Sequence, residues 1–498
     1  MRLVIVLAVV MASFVVPAPA QGSTLHWHRC PDGSALAAVA AAQCAQVQVP
    51  MDHARPNGPA FTVGVSRIPA TDPGRRLGTL FANPGGPGTG TLDFWTRPMP
   101  AQLSARFDRI AVEPRGLRWS TPLDCRAPGK PDRMPQAFPA LPDRLACQAR
   151  QPGYIDTITT EATARDLDLV RQALGENKIN LLGYSAGTNL FGVYATLFGA
   201  HVDKLVLDSG VDPAGIWSGH YRQVMLAWEH RLNDMFDWIA ANHADYGLGA
   251  TRGAVSEVWS GQVAAQGGGL LANLGGRASE SGGDIERRLA NLARSLRNPG
   301  VSTGVTFNAT YTALYSRAHW PLLAQGLREY PGDRRFLDYL ARRAPVGGVP
   351  GAWVFEATVC NEDRSARPEL LGGALQAWAG GASSFEALSN VQGAGFACLG
   401  WPATVTAIRP DGGALAVRPL LIQSERDPAT PAPGGFALAT AMGAQVVRVA
   451  GGDHGHFGQG DPGLDAAVLR YLETGTVPIA AASERPMTTP SPPSRLPG

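Results

Sequence analysis

A serine between two glycines, placed where an apolar strand pattern gives way to an apolar helical one, narrows the folds open to this chain more than any other feature. Lys178-Ile-Asn-Leu-Leu-Gly-Tyr-Ser-Ala-Gly-Thr-Asn-Leu190 reads as a short strand over Ile179 to Leu182, a tight turn over Gly183 to Gly187, and a helix from Leu190 to Phe198. Glycines beside such a turn leave room for a strained backbone, and a serine at its apex is lifted clear of the sheet, the arrangement known as a nucleophile elbow. Ser185 is therefore the candidate nucleophile. With 59 glycines in the chain, a five-residue pattern holding two of them also arises by chance, so its surroundings have to carry the argument.

Those surroundings alternate. Gly78 to Ala82 is an apolar strand ending in Asn83-Pro-Gly-Gly-Pro-Gly-Thr-Gly90, Phe107 to Val112 runs into Glu113-Pro-Arg-Gly116, Thr159 to Leu174 has helical spacing, and Lys204 to Asp208 is a further strand. Strands alternating with helices in this way predict an α/β fold: a mostly parallel sheet with helices on both faces. Leu25 to Val49 reads as a loop-rich opening and Phe61 to Ile68 as an edge strand. From Pro213 the period becomes helical, over Tyr221 to Ala241, Ile285 to Leu296, Thr310 to Glu329 and Arg335 to Arg343, with a Gly-rich break over Gly267 to Gly283. Strands return at Arg418 to Gln423 and Gln445 to Val449, followed by a helix over Leu464 to Tyr471. The expected organisation is a core of residues 21–212 and 401–478, a helical cap inserted at 213–400, and a Pro/Ser-rich disordered tail at 479–498.

Composition rules out some partners. Charged residues are 17% of the 498 and the formal net charge is +2, which gives no basic field for nucleic acid. A peptide or small-molecule substrate is the expectation. Arg2, the apolar stretch Leu3 to Val16 and the small residues Ala18-Pro19-Ala20 read as a signal peptide over residues 1–20. Gln21, not a cysteine, directly follows that cleavage site and no later apolar run would span a bilayer, so an exported chain without a membrane anchor is expected. Export suits the six cysteines, and short loops favour Cys30 with Cys44, Cys125 with Cys147 and Cys360 with Cys398. There is no C-x-x-C and no G-K-[ST], so no metal, redox centre or nucleotide cofactor is expected.

A serine is a weak nucleophile and needs a base and an orienting acid. In this fold they follow in the order Ser, acid, His, each in a loop past a strand. Leu420-Leu-Ile-Gln-Ser-Glu-Arg-Asp427 offers the acid and Val446-Val-Arg-Val-Ala-Gly-Gly-Asp-His454 the base. His456 rivals His454, Asp208 rivals Asp427, and Glu425 and Asp453 read as solvated loop charges. The bare loop Asn83 to Gly90 offers oxyanion donors: Gly86 by preference, with Gly85 close behind, together with Ala186.

These segments resemble the secreted tripeptidyl aminopeptidases of actinomycete type, serine peptidases related to proline iminopeptidases within the α/β-hydrolase superfamily. The similar residues are Asn83-Pro-Gly-Gly-Pro-Gly88, Glu113-Pro-Arg-Gly116 with Ser120 to Cys125, Gly183-Tyr-Ser-Ala-Gly-Thr188, Tyr194 to Phe198, Val206 to Pro213, Cys398 to Pro402, and the Asp427 and His454 segments. The resemblance implies an α/β-hydrolase core with a helical cap, a Ser185/Asp427/His454 triad, and cleavage behind a free N-terminus. It further implies acids that hold the substrate's α-amine, for which Glu362 and Asp363 are the candidates. Arg115 is expected to brace the oxyanion loop. Two residues depart from the family pattern: Ala186 stands where an aromatic residue is usual, and Glu113 where an aspartate is.

Overall fold

The computed structural model describes residues 25–126, 141–266, 304–343, 351–379 and 384–484, with isolated positions beyond them. The expected signal peptide, the Gly-rich break and the helix expected at Ile285 to Leu296 lie outside these residues.

Nine strands form one sheet: β1 (Gln43–Pro50), β2 (Ala60–Ile68), β3 (Gly78–Asn83), β4 (Phe107–Val112), β5 (Ile179–Tyr184), β6 (Val202–Asp208), β7 (Leu420–Ser424), β8 (Gln445–Ala450) and β9 (Ala481–Ser483). Their order is β1-β2-β4-β3-β5-β6-β7-β8-β9. The β1–β2 and β2–β4 pairs are antiparallel, and all pairs from β4 through β3 to β9 are parallel. β5 is central and every residue in it is buried, as a parallel strand covered on both faces requires.

One hydrophobic cluster lies on each face. Leu80, Leu182, Val206 and Ile422 point to one side, against Phe457, Val468 and Tyr471. Phe81, Leu181, Leu205 and Leu421 point to the other, against Leu167, Phe191, Val193 and Tyr194 of the helices Thr160–Ala173 and Ala186–Phe198. The first of these helices begins where Thr159 Oγ1 accepts the Ala162 N–H, an ordinary N-cap.

Between β6 and β7 the cap builds its own core. Met235, Phe236, Ile239, Trp259, Leu323, Leu327, Phe336 and Leu337 close it, from the helices Ser218–Ala241, Arg252–Ala265, Trp320–Glu329 and Arg335–Ala341. A further helix, Gly351–Glu362, lies over the loop that follows β3.

Three expectations are corrected. Phe61 to Ile68 is not the edge, because Gln43–Pro50 from the supposed loop pairs outside it as β1. Thr310 to Glu329 is two helices, Gly304–Tyr315 and Trp320–Glu329, parted where Ser316 Oγ accepts the Ala318 N–H and Pro321 opens the next helix. Residues 481–483, placed in the disordered tail, pair with β8 as β9. All three favoured cysteine pairs are disulfides: Cys30–Cys44, Cys125–Cys147 and Cys360–Cys398. Among the described residues no helix is long and apolar enough to cross a membrane.

Candidate active site

At the end of β5 the backbone turns so sharply that Ser185 has φ 54° and ψ −129°. A non-glycine residue holds such a conformation only when its neighbours impose it. They do so by contact. A Cβ on Gly183 would lie 2.5 Å from the Gly187 carbonyl oxygen, and one on Gly187 would lie 2.5 Å from that of Asn83, so both glycines of the motif are steric requirements. The Ser185 N–H donates to Asp208 O at 3.0 Å, and Ala186 starts the next helix with its N–H free of any intrahelical acceptor.

The loop after β3 runs against this turn. A Cβ on Gly85 would come within 2.9 Å of Ser185 Cβ and 2.8 Å of Ala186 N. The Gly85 N–H is already used, donating to Asn83 Oδ1 at 2.8 Å. The next amide, that of Gly86, donates to none of the described residues. Glu113 braces the far side of this loop. It is 1% exposed, and its Oε2 accepts from the N–H groups of Thr91 at 2.6 Å and Leu92 at 2.9 Å. Burial raises its pKa against the pull of those donors. Arg115, expected in that bracing role, grips Asp166 with two hydrogen bonds of 2.8 and 2.7 Å and the Met51 carbonyl at 2.8 Å. It therefore ties the β1–β2 turn to the helix Thr160–Ala173.

Past β7, Asp427 is 1% exposed and accepts from the N–H groups of Ala429 at 2.9 Å and Thr430 at 2.8 Å and from Thr430 Oγ1 at 3.0 Å. His454, past β8, sets Nδ1 at 2.9 and 3.0 Å from the two Asp427 oxygens. A proton on Nδ1 is thereby spent on the carboxylate, which leaves Nε2 as the basic nitrogen. Burial works to lower the imidazole pKa, but the charge and hydrogen bond of Asp427, helped by Asp208, outweigh it and the net shift is upward. For Asp427 burial works upward, and His454 together with the backbone donors brings the net shift downward.

The loop holding His454 is pinned to the strand ends beside Ser185. Gly455 N–H donates to Ser209 Oγ, the N–H groups of His456 and Phe457 donate to Asp208 Oδ2 at 2.9 and 2.8 Å, and Tyr184 Oη donates to Phe457 O at 2.9 Å. Asp208 is thus occupied with backbone amides, and the His456 ring with Ser424 Oγ at 2.7 Å. Neither rival's side chain hydrogen-bonds to Ser185, Asp427 or His454. Ser185 Oγ itself makes no hydrogen bond with a described residue.

Beside the elbow a cavity is lined by Gly85, Ala186, Thr160, Trp217, Val354 and Thr358, among others. Glu362 sits behind its wall, 2% exposed. Its Oε1 accepts from Thr160 N–H, and its Oε2 from Thr160 Oγ1 at 3.1 Å and Trp217 Nε1 at 3.0 Å. Burial pushes its pKa up to about 7, against those hydrogen bonds. Asp363 is taken up elsewhere, by Trp217 N–H, Ser218 Oγ and Ser365 N–H. Neither acid lines the cavity: Glu362 backs two of its lining residues, Thr160 and Trp217, and Asp363 turns to the helix start at Ser218.

Residues 78–342 match the family model described as alpha/beta hydrolase fold, and residues 385–484 match one described as TAP-like protein. A tripeptidyl aminopeptidase of Streptomyces lividans is 30% identical over 90% of this chain and 85% of its own. This chain belongs to the α/β-hydrolase family, in the branch that holds the tripeptidyl aminopeptidases. A protein of Mycobacterium tuberculosis called carboxylesterase B is also 30% identical, over 93% of this α/β hydrolase and 90% of its own chain. A serine protease of the same organism is 26% identical over 93% and 91%. The sequence-based readings of fold and of serine hydrolase chemistry hold. What they missed were the partners of Glu113 and Asp453, acids past a strand that pair with residues far away in the chain, and the hold of Thr430 on Asp427 three residues before it.

Proposed function

We propose that this α/β hydrolase is an exported aminopeptidase that releases short peptides from free N-termini through an acyl-enzyme on Ser185. His454 Nε2 takes the Ser185 proton as Oγ attacks the scissile carbonyl. The oxyanion is received by the N–H groups of Ala186 and Gly86, donors of a kind worth about 10²–10³ in kcat each. His454 then passes its proton to the departing amine, and water repeats the sequence to free the peptide. Asp427 holds the tautomer and stabilises the imidazolium. The link from Ser185 Oγ to His454 forms when substrate seats, as such links often do.

The observation that carries the peptidase reading is Glu362, a buried carboxylate behind the cavity that adjoins the oxyanion donors. A carboxylate offers about four acceptor sites, and Glu362 uses three of them on Thr160 and Trp217. One remains for a protonated α-amine, whose charge would hold Glu362 ionised. Asp363 supports it by fixing Trp217 N–H and Ser218 at the adjoining helix start. The disulfides support export, since they persist in oxidising compartments. A second reading, an esterase or amidase, is favoured by the small Ala186 and by the equally similar carboxylesterase B.

The test is one tripeptide chromogenic amide, free and N-acetylated, beside a short-chain ester. An aminopeptidase cleaves the free amide and spares the acetylated one, and Glu362→Gln raises KM for the free amide about tenfold or more with little change for the ester. Equal turnover of both amides, with faster ester turnover, would replace this reading with the second.

A further inference from the structure

The loop that delivers His454 is held from outside the catalytic core. His454 N–H donates to Tyr315 O at 2.8 Å, and the Tyr315 ring stands edge-on to the imidazole, 5.1 Å between centroids. Tyr315 ends a cap helix. The preceding residue, Asp453, has a side chain devoted to the cap: it accepts from Ser316 Oγ at 3.0 Å, from Arg317 N–H at 2.7 Å and from Arg231 Nη2 at 2.5 Å. The backbone N–H groups of Gly452 and Asp453 both donate to Glu484 Oε1. Glu484 follows β9, and its carboxylate also faces Arg317 Nε at 3.1 Å and Arg231 Nη2 at 3.9 Å.

Two arginines of the cap and two acids of the core therefore form one balanced cluster directly before the catalytic base. Arg231 is 2% exposed, with its guanidinium 4.7 Å over the Trp320 ring. A Cβ on Gly452 would lie 2.5 Å from Arg231 Nη1, so the loop approaches as near as glycine permits. None of these residues touches substrate-binding groups or Ser185. Arg231 and Glu484 are buried within the cluster while Asp453 and Arg317 are partly exposed, so the buried pair is screened least and loss of Glu484 leaves Arg231 less compensated.

The geometry points to Glu484 as a positioning residue for His454: through Gly452, Asp453 and the cap arginines, it makes the placement of the base depend on both the cap and the C-terminal strand. This rests on His454 being the base. An error of about 1 Å in such a group costs on the order of 10²-fold, while substrate binding elsewhere is untouched.

The experiment measures steady-state kinetics and the rate of Ser185 labelling by a fluorophosphonate probe for wild type, Glu484→Ala, Glu484→Gln and His454→Ala, each checked by thermal melting. Glu484→Ala is expected to lower kcat and the labelling rate together by about 10- to 100-fold with KM within about twofold. Glu484→Gln, whose amide oxygen still accepts the two backbone N–H groups, should recover most of that loss. Wild-type rates in Glu484→Ala, or a loss that only follows the fraction unfolded, overturn the assignment. If His454→Ala keeps its activity, the catalytic reading itself has failed; if it is inactive while Glu484→Ala is not, only the positioning role has. Should Glu484→Ala not fold, Arg317→Ala takes its place, with unchanged kcat and labelling counting against the proposal and a joint fall counting for it.

Discussion

Ser185 is the point at which local preference is most plainly overruled, since its φ of 54° is held only by contacts among Gly183, Gly187, Asn83 and Gly85. Its partner His454 is tuned by one neighbour above the rest. Because Asp427 raises the imidazole pKa beyond what burial takes away, the ring protonates at a higher pH than a free histidine does. A general base must be neutral, so activity is lost as pH falls through this raised value. The acid limb of kcat/KM should therefore lie above the ordinary imidazole value of about 6.5. Asp427→Asn should cut kcat about 10⁴-fold and move the limb of the residual activity downward; a limb that stays in place would show that another group governs it. At this scale the sequence showed residue types and chain order, and the elbow from its glycines set between a strand pattern and a helical one. It could not show partners. Asp453 read as a solvated loop charge, whereas Arg231 and Arg317, more than a hundred residues away in the chain, reach it from the cap.

Among elements, the loop from Asn83 to Gly90 depends most on a single support. Its glycines free the backbone to approach Ser185 but give it nothing to hold it there, and Glu113 does so by accepting the Thr91 and Leu92 N–H groups. Glu113→Ala strands two buried donors at about 1–3 kcal/mol each. Thermal melting should show a matching loss, and kcat should fall about tenfold as the Gly86 donor loses its aim. Glu113→Gln, which keeps one carbonyl oxygen for the pair, should lose less in both measurements. Strands with continuous apolar runs, such as β3, β5, β6 and β7, were legible as elements because they are buried on both faces. β1 and β9 were not. Gln43–Pro50 carries glutamine at three positions and Ala481–Ser483 only small residues, and both become strands by pairing with β2 and β8, a non-local cause that composition does not record. The helix break at Ser316 was missed for the opposite reason: apolar spacing continues across it, and only the Ser316 cap and Pro321 mark the stop.

Taken whole, the molecule is a sheet with a further core set beside it, and the disulfides are part of its packed clusters. Cys360–Cys398 joins the helix Gly351–Glu362 to a short turn across a separation of 38 residues. Closing a loop of that length stabilises by about 4 kcal/mol in the chain-entropy treatment. Replacing both cysteines by alanine, or adding reductant, should lower the melting temperature accordingly; an unchanged melt would mean that the cap holds this helix without the bond. The alternation of strands and helices foretold the mostly parallel sheet, and where that rhythm breaks the described residues are helical. How the cap's arginines meet the base loop had no local sign. The position of the cap in the chain also sets an order of events. β6 ends at Asp208 and its sheet neighbour β7 begins at Leu420, so the central pairing joins segments made far apart in time, and pairings so remote in sequence close late. A chain emerging N-terminus first completes Ser185 and its elbow long before Asp427, His454 or Glu484 exists. On the proposed triad, the nucleophile is thus made before its base, and the site is complete only once the C-terminal strands have paired.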